Sequence, residues 1–319
     1  MCCLYGMIDY GNTFSGKDKH HILKVLSSAC EDRGTDATGY AHFNGNTLAL
    51  QKAPKPAHKT KFHIPDGTAF IMGHTRLTTQ GSEKRNYNNH PFEGRAGGEV
   101  FALAHNGVLS NDVLLRREHK LPPTKIETDS YVVVQLLEKL GTFTFDSMRN
   151  VAEQLNGSFT LTAMTQQHFY FIKGNNPLCI YHFPDLRLYL YASTEDILRK
   201  GIGPTGLLSR PHEDIPIHQG DILRIGTRGE QETEQFDHRL LLSHYYSRFM
   251  TPSWNDCHYY AESYPDDYME QLKFFGLTMG LSEIELDLLI DFGYDPFDIE
   301  EMIYDPELLQ CCMQEIYCG

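Results

Sequence analysis

The sequence holds no apolar stretch of the length that crosses a bilayer, which takes about 20 consecutive apolar residues. Its opening residues, Met1-Cys2-Cys3-Leu4-Tyr5-Gly6, lack the basic and apolar regions of a secretory signal peptide. These two absences predict a cytoplasmic protein with no membrane partner. None of the eight cysteines shows the paired C-x-x-C spacing of a zinc site, and none stands fourth from the end, where prenylation requires it. In a reducing compartment they read as thiols rather than disulfides. Positive charge is scarce: 28 Lys and Arg stand against 42 Asp and Glu, a formal net charge of -14. An acidic surface repels phosphate backbones, so nucleic acid is not an expected partner. No Gly-rich loop of the G-x-x-x-x-G-K-[ST] type is present, and there is no internal repeat or low-complexity tract.

What remains is an ordinary globular composition, 41% hydrophobic and 22% charged over 319 residues, long enough for one large domain and something smaller. A strand is expected over 2–9, then a helix carrying Ile22, Leu23, Val25, Leu26 and Ala29 and ending near Gly34. Residues 37–43 and 47–52 flank Asn44-Gly45-Asn46, a hairpin signal. Buried strands are expected at 70–72 and 101–104, with a polar loop over 79–98 between them. Residues 128–140, capped by Thr128, and 144–155 read as helices. Short strands follow at 158–165, 168–173, 178–183 and 187–192, then a helix near 195–200 and strands to about 226. This order predicts helices layered on sheets rather than a βαβ repeat. The very polar run 228–237 marks a boundary. The expected division is 1–228 as the main domain, 229–264 as an irregular Tyr- and His-rich segment, and 265–319 as a small acidic helical region. In that last region Leu286, Leu289, Ile290, Ile299, Met302, Leu308 and Leu309 would form a core.

Four segments carry chemistry. Cys2 follows the initiator Met, and a residue this small permits Met removal. The product joins a thiol to a free α-amine of ordinary pKa about 7.7–8.0, so one residue supplies nucleophile and base. Gly73-His74-Thr75-Arg76-Leu77-Thr78-Thr79-Gln80-Gly81 follows a strand directly, and Arg76 offers a fork of donors suited to a carboxylate. Ala104-His105-Asn106-Gly107 can aim an amide and a backbone N–H at one oxygen, as an oxyanion hole does. Glu127-Thr128-Asp129-Ser130 puts a carboxylate at a helix start, where it could hold an ammonium. Each has a plainer reading in isolation: a chance Met-Cys start, a surface salt bridge, an Asn-Gly turn, a helix cap.

Taken in order, these segments resemble the class II glutamine amidotransferase domain, an N-terminal-nucleophile hydrolase. The likeness is to the amidotransferase halves of glucosamine-6-phosphate synthase and glutamine phosphoribosylpyrophosphate amidotransferase. It covers roughly 2–225 and includes Asp32-Arg33-Gly34-Thr35-Asp36-Ala37-Thr38-Gly39 and Leu155-Asn156-Gly157-Ser158-Phe159. The resemblance implies an α+β fold, a four-layer αββα sandwich of two antiparallel sheets, here with a small C-terminal helical extension. It implies Cys2 as nucleophile with its own amine as base, Asn106 and Gly107 as oxyanion donors, Arg76 on the glutamine α-carboxylate and Asp129 on the α-ammonium. Leu77 and Thr78 would line the substrate, and Arg33 and Gly34 would support the site. No cofactor or metal is called for. Three positions depart from the pattern: Cys3 where Gly is usual, Leu77 where an aromatic is common, and Gln80 where one relative has His.

The stretch after residue 228 is too short for a sugar-isomerase, phosphoribosyltransferase or ATP-using synthetase domain. The ammonia acceptor is therefore expected to be a separate protein, foremost a synthase subunit, or water alone. Two other readings stand beside it: a stand-alone hydrolase of another γ-glutamyl amide, and a non-catalytic scaffold that docks a partner through the helical tail.

Overall fold

The computed structural model describes residues 2–239 and 241, and further along the chain 272, 273, 276, 277, 281–294, 296–304, 309, 310, 312, 313 and 316. It divides into two compact units, Met1–Thr251 and Pro252–Gly319.

The first unit is built on two sheets whose pairings are all antiparallel. One has seven strands. In chain order these are β1 (Cys3–Asp9), β2 (Ala37–Asn44), β3 (Thr47–Ala53), β4 (Phe70–Arg76), β9 (Cys179–Phe183), β10 (Leu188–Ala192) and β11 (Glu213–Asp214), arranged β11-β9-β10-β1-β4-β2-β3. The other has six: β5 (Phe92–Ala96), β6 (Glu99–Leu109), β7 (Gly157–Met164), β8 (His168–Lys173), β12 (Asp221–Gly226) and β13 (Gln231–Gln235), arranged β13-β12-β8-β7-β6-β5.

Period-2 alternation sorts the side chains of each strand onto two faces. On β1, Leu4 and Ile8 pack into a core shared with Ala102 and Ala104 of β6, between the sheets. Cys3, Tyr5 and Met7 face the other way. There they meet α1 (Gly16–Ala29) and α5 (Glu195–Ile202) through Ile22, Leu23, Leu26, Ile197 and Leu198. The outer face of the second sheet is covered likewise, by α3 (Tyr131–Leu140) and α4 (Phe145–Ala152), through Val132, Val133, Leu136, Met148 and Val151. The layers are therefore helix, sheet, sheet, helix, the expected αββα sandwich. A short α2 (Asp112–Glu118) follows β6.

Three local expectations are corrected. The polar stretch 79–98 is not all loop: β5 lies within it, with Phe92, Gly94 and Ala96 buried and Glu93 and Arg95 exposed. Polar residues on the outward face hid the alternation. The helix expected from 128 begins at Tyr131, and Thr128 does not cap it; its hydroxyl donates to Asn88 O at 2.8 Å. Residues 231–235, in the polar run read as a boundary, pair with β12 as an edge strand whose charged side chains face outward.

In the second unit, α6 (Glu283–Asp291) and α7 (Pro296–Tyr304) carry Leu286, Leu289, Ile299, Met302 and Ile303 into a small core of their own with Leu272, Leu281, Cys312 and Met313. Ile290 and Leu309 pack against it as partly buried residues. Leu308, and residues 242–264 of the Tyr- and His-rich run, lie outside the described residues. Among the described residues no helix is long and apolar enough to cross a membrane.

Candidate active site

The alternation that builds the core also aims the chemistry. On β4, Phe70 and Met72 face the second sheet, so two and four residues on His74 and Arg76 do too. On β1, the phase of Leu4 and Ile8 sends Cys2 the same way. On β6, Ala102 and Ala104 put Asn106 on the opposing wall. Three strand ends thus direct a thiol, a guanidinium and an amide into one gap between the sheets.

Cys2 is 8% exposed, and its Sγ lies 3.5 Å from Leu77 O. Burial pushes the thiol above its ordinary pKa, while the positive amino terminus of the chain, then the Arg76 guanidinium and the bond to Leu77, pull it back in part and Asp129 pushes it further up. A thiol so placed does not ionise unaided at neutral pH and needs an adjacent base. Arg33 Nε donates to Cys2 O at 3.1 Å, holding the peptide after the nucleophile. Gly34 lies against the next strand so closely that a Cβ there would fall 2.5 Å from Arg76 C and 2.6 Å from Leu77 N. Both supporting residues therefore shape the backbone around Cys2 and Arg76. Cys3 points the other way, into the helical layer with Cys30, and its Sγ lies 3.4 Å from Leu4 O. A side chain larger than hydrogen is accommodated there without touching the face that carries Cys2.

Arg76 is 2% exposed. Its Nη1 donates to Asn89 Oδ1 at 2.7 Å, and its Nη2 to Gln80 O and to Gly81 O, the latter at 2.8 Å. Three of the five guanidinium N–H groups thereby shape the following loop, and two stay free for an anion. Gln80 enters this network through its carbonyl. Thr78 N donates to Asp36 Oδ2 at 2.7 Å, while the buried Thr78 hydroxyl has no partner.

On the facing wall Asn106 is fully buried, and neither its Oδ1 nor its Nδ2 has a partner. A buried amide left unpaired is expensive, by about 1–3 kcal/mol per group, which marks a place where a ligand completes the bonding. Gly107 has φ +140°, and a Cβ there would fall 2.0 Å from Ser158 O. Asp129 is 2% exposed, accepts from Leu109 N at 2.6 Å and lies beside Ser130 Oγ at 3.1 Å. It is thus fixed to the end of β6 rather than serving as a cap of α3. Its charge acts on both Cys2 and Arg76, so the carboxylate, the guanidinium and the thiol lie within electrostatic reach of one another.

Several residues here escaped the sequence reading. His74 Nε2 donates to His105 O at 2.9 Å, tying β4 to β6 just before Arg76 and Asn106. His105 Nδ1 lies 2.7 Å from Ser130 Oγ. His90 packs at a tilt against His74, with ring centroids 4.3 Å apart. Burial holds all three histidines below their ordinary pKa, His74 at about 3. Asn89 and Asp36 support Arg76 and Thr78, as described. The His-Thr-Arg and Ala-His-Asn runs held the only signal for two of the histidines; nothing marked Asn89 or His90. A separate cavity of about 250 Å³, lined by Lys52, Lys55, Lys59 and Lys61 among others, includes none of the predicted site residues. Among the described residues no group of three or more His, Cys, Asp or Glu is arranged to hold a metal ion.

No protein-family model matches the chain. Among curated proteins, glutamine--fructose-6-phosphate aminotransferase [isomerizing] from Staphylococcus epidermidis is 34% identical over 192 residues, covering 56% of this chain and 30% of the relative. The enzyme of that name from Geobacillus kaustophilus is 30% identical over 189 residues, with the same coverage. The chain is related to the class II glutamine amidotransferases. It spans about 30% of the length of the curated relatives it matches. Two solved structures share the fold. Glutamine phosphoribosylpyrophosphate amidotransferase from B. subtilis, complexed with ADP and GMP, superposes with TM-score 0.58 at 22% identity, over 74% of this chain and 49% of that one. The allosteric regulatory enzyme of purine biosynthesis superposes with TM-score 0.60 at 20% identity, over 88% and 59%.

Proposed function

We propose that Cys2, made N-terminal by removal of Met1, hydrolyses the side-chain amide of L-glutamine to glutamate and ammonia. The α-amine takes the thiol proton as sulfur adds to the amide carbon. Asn106 Nδ2 and the Gly107 N–H hold the oxygen as it becomes anionic. The C–N bond then breaks, the ammonium returns its proton to the leaving nitrogen, and a γ-glutamyl thioester remains. Water, with the amine again as base, adds to that thioester and releases glutamate and the thiol. Arg76 holds the α-carboxylate with its two free N–H groups, and Asp129 the α-ammonium. Leu77 and Thr78 close over the chain of the substrate, while Arg33 and Gly34 keep the Cys2 and Arg76 backbones in place. No cofactor enters.

The observation that carries this reading is the buried, unpartnered Asn106 amide, on the wall opposite Cys2. Homology at 34% identity to a glutamine-using enzyme supports it. As part of the same proposal, the protein is cytoplasmic and passes its ammonia to a separate synthase subunit, with the acidic helical region as a module of its own.

Intact-mass measurement before and after treatment with a chloroketone analogue of glutamine tests it, together with ammonia release. The expected result is a chain lacking Met1, one adduct on Cys2, and neither adduct nor ammonia from Cys2→Ala. Native protein that retains Met1 yet releases ammonia at full rate would overturn the mechanism.

A further inference from the structure

The oxyanion donors proposed above need more than their own strand to hold them. Asn106 C=O and Gly107 N–H belong to one peptide group and point in opposite directions, so whatever grips the carbonyl also aims the N–H. The grip comes from Asn176, in the turn between β8 and β9. Its Nδ2 donates to Asn106 O at 2.9 Å.

Asn176 is itself locked on every side. It is 7% exposed. Its backbone N donates to Phe159 O at 3.3 Å, and its O accepts from Thr160 Oγ1 at 2.6 Å. The neighbouring Asn175 Oδ1 accepts from Phe159 N at 2.9 Å, and Pro177 restrains the backbone on the other side. Phe159 and Thr160 are the β7 residues opposite Gly107 and Asn106. The turn therefore clamps the pair of strands at the one peptide whose N–H would meet the substrate. The ladder pairs Asn106 with Thr160, and Asn176 adds a second hold on the same peptide. At φ +140° Gly107 has left regular strand geometry, and with no Cβ it has no side chain to resist rotation of the peptide plane. The fit is close: a Cβ on Gly107 would come within 2.6 Å of Asn176 Nδ2.

We infer that Asn176 is a positioning residue for the oxyanion hole: by donating to the Asn106 carbonyl it fixes and polarises the Asn106–Gly107 peptide, so that the Gly107 N–H meets the developing oxyanion. Two physical effects act together. Oxyanion donors work only within a few tenths of an ångström of their target. A hydrogen bond accepted at a carbonyl also draws charge through the amide and strengthens donation from its N–H. Both act in the transition state and leave ground-state binding through Arg76 and Asp129 untouched, which is the signature of a kcat effect. The inference rests on the proposed glutaminase reaction.

The test compares wild type with Asn176→Ala and Asn176→Asp. The aspartate is nearly isosteric but presents an acceptor where the amide donated. Three quantities are read: kcat and KM for glutamine, glutamate affinity by calorimetry, and labelling of Cys2 by the chloroketone. In Asn176→Ala kcat should fall about 10- to 100-fold, less than the roughly 10²–10³ lost when a donor itself is removed. Asn176→Asp should fall further. KM and glutamate affinity should stay within about twofold and labelling should remain stoichiometric, which shows that the site is folded. A wild type that neither turns over glutamine nor takes the label overturns the proposed function, and this inference with it. An active wild type whose Asn176→Asp variant keeps full kcat overturns the inference alone. So does a loss of glutamate affinity that matches the loss of kcat, because that outcome makes Asn176 a general structural support.

Discussion

At the scale of the residue, the candidate site is a set of buried polar groups left incomplete. Asn106 is buried with its amide unpaired, and Thr78 hides a hydroxyl without a partner. Proteins seldom keep such groups unless something else completes them. The glycine beside Asn106 is as constrained as the amide. Any side chain at 107 would have to adopt φ +140° and push its Cβ to 2.0 Å from Ser158 O. Gly107→Ala should therefore lower stability by at least about 1–3 kcal/mol from the backbone conformation alone, with a further loss of turnover as the peptide tilts. A urea melt of the variant reads the first effect. An unshifted midpoint would show that the peptide relaxes freely and that its φ has no bearing on the site.

Elements place these residues by strand alternation, and helix α1 braces the arrangement. Lys19 of α1 and Asp9 at the end of β1 form a fully buried ion pair, 3.0 Å between Nζ and Oδ2. Lys19 also donates to Thr68 O at 2.6 Å, and Asp9 accepts from Thr13 N and Phe14 N. Removing one partner strands a buried charge, so Lys19→Met should cost about 3–5 kcal/mol. Pairing it with Asp9→Asn should recover a good part of that loss. A single variant within about 1 kcal/mol of wild type by chemical denaturation would mean that water reaches Asp9.

The same scale shows how far the sequence could be read. The motifs around Cys2, Arg76, Asn106 and Asp129 lie at strand or helix ends, where short patterns are legible, and the apolar strands β1, β4 and β6 fell where expected. Strand β5 was hidden by the polar residues of its outward face, and β13 because nearly every side chain of an edge strand meets water. Helix α3 starts late because Thr128 and Asp129 spend their side chains on Asn88 and Leu109. Asn176 carried no signal at all: an Asn before Pro reads as a turn, and its bond to Asn106 spans 70 residues of chain.

Over the whole molecule, packing the layers together buries three histidines: His74 on the inner face of β4, His105 of β6 beside Ser130 at the start of α3, and His90 next to both. His90 has no partner on either ring nitrogen and sits between His74 and Phe92, with centroids 4.3 and 4.4 Å away. Burial first, and neighbouring charges second, depress its pKa well below 6.5; His74 falls to about 3 and His105 is lowered as well. A depressed histidine binds protons in the unfolded chain before it does so in the native one. Its stabilising contribution is complete above the unfolded value near 6.5 and is lost as pH falls toward the folded value, about 3 for His74. Stability should decline below pH 6.5 by up to about 1.4 kcal/mol per pH unit for each histidine. His90→Phe should make the decline shallower by about one proton. Urea midpoints taken between pH 7 and pH 4.5 read this, and a flat profile over that range would show that the cluster takes up protons without unfolding.

Short-range chemistry was determined by the sequence itself: a thiol at position 2, a guanidinium and an amide at strand ends, a carboxylate before a helix, and an alternation that could build two facing sheets. Tertiary structure alone decided which of these groups share a space, which are left unpaired, and which distant residues hold them. Period-2 patterns tell which side of a strand a residue faces but not what lies opposite. The Asn176 and Asn89 contacts and the ring contact of His74 with His90 exist only once remote segments pack.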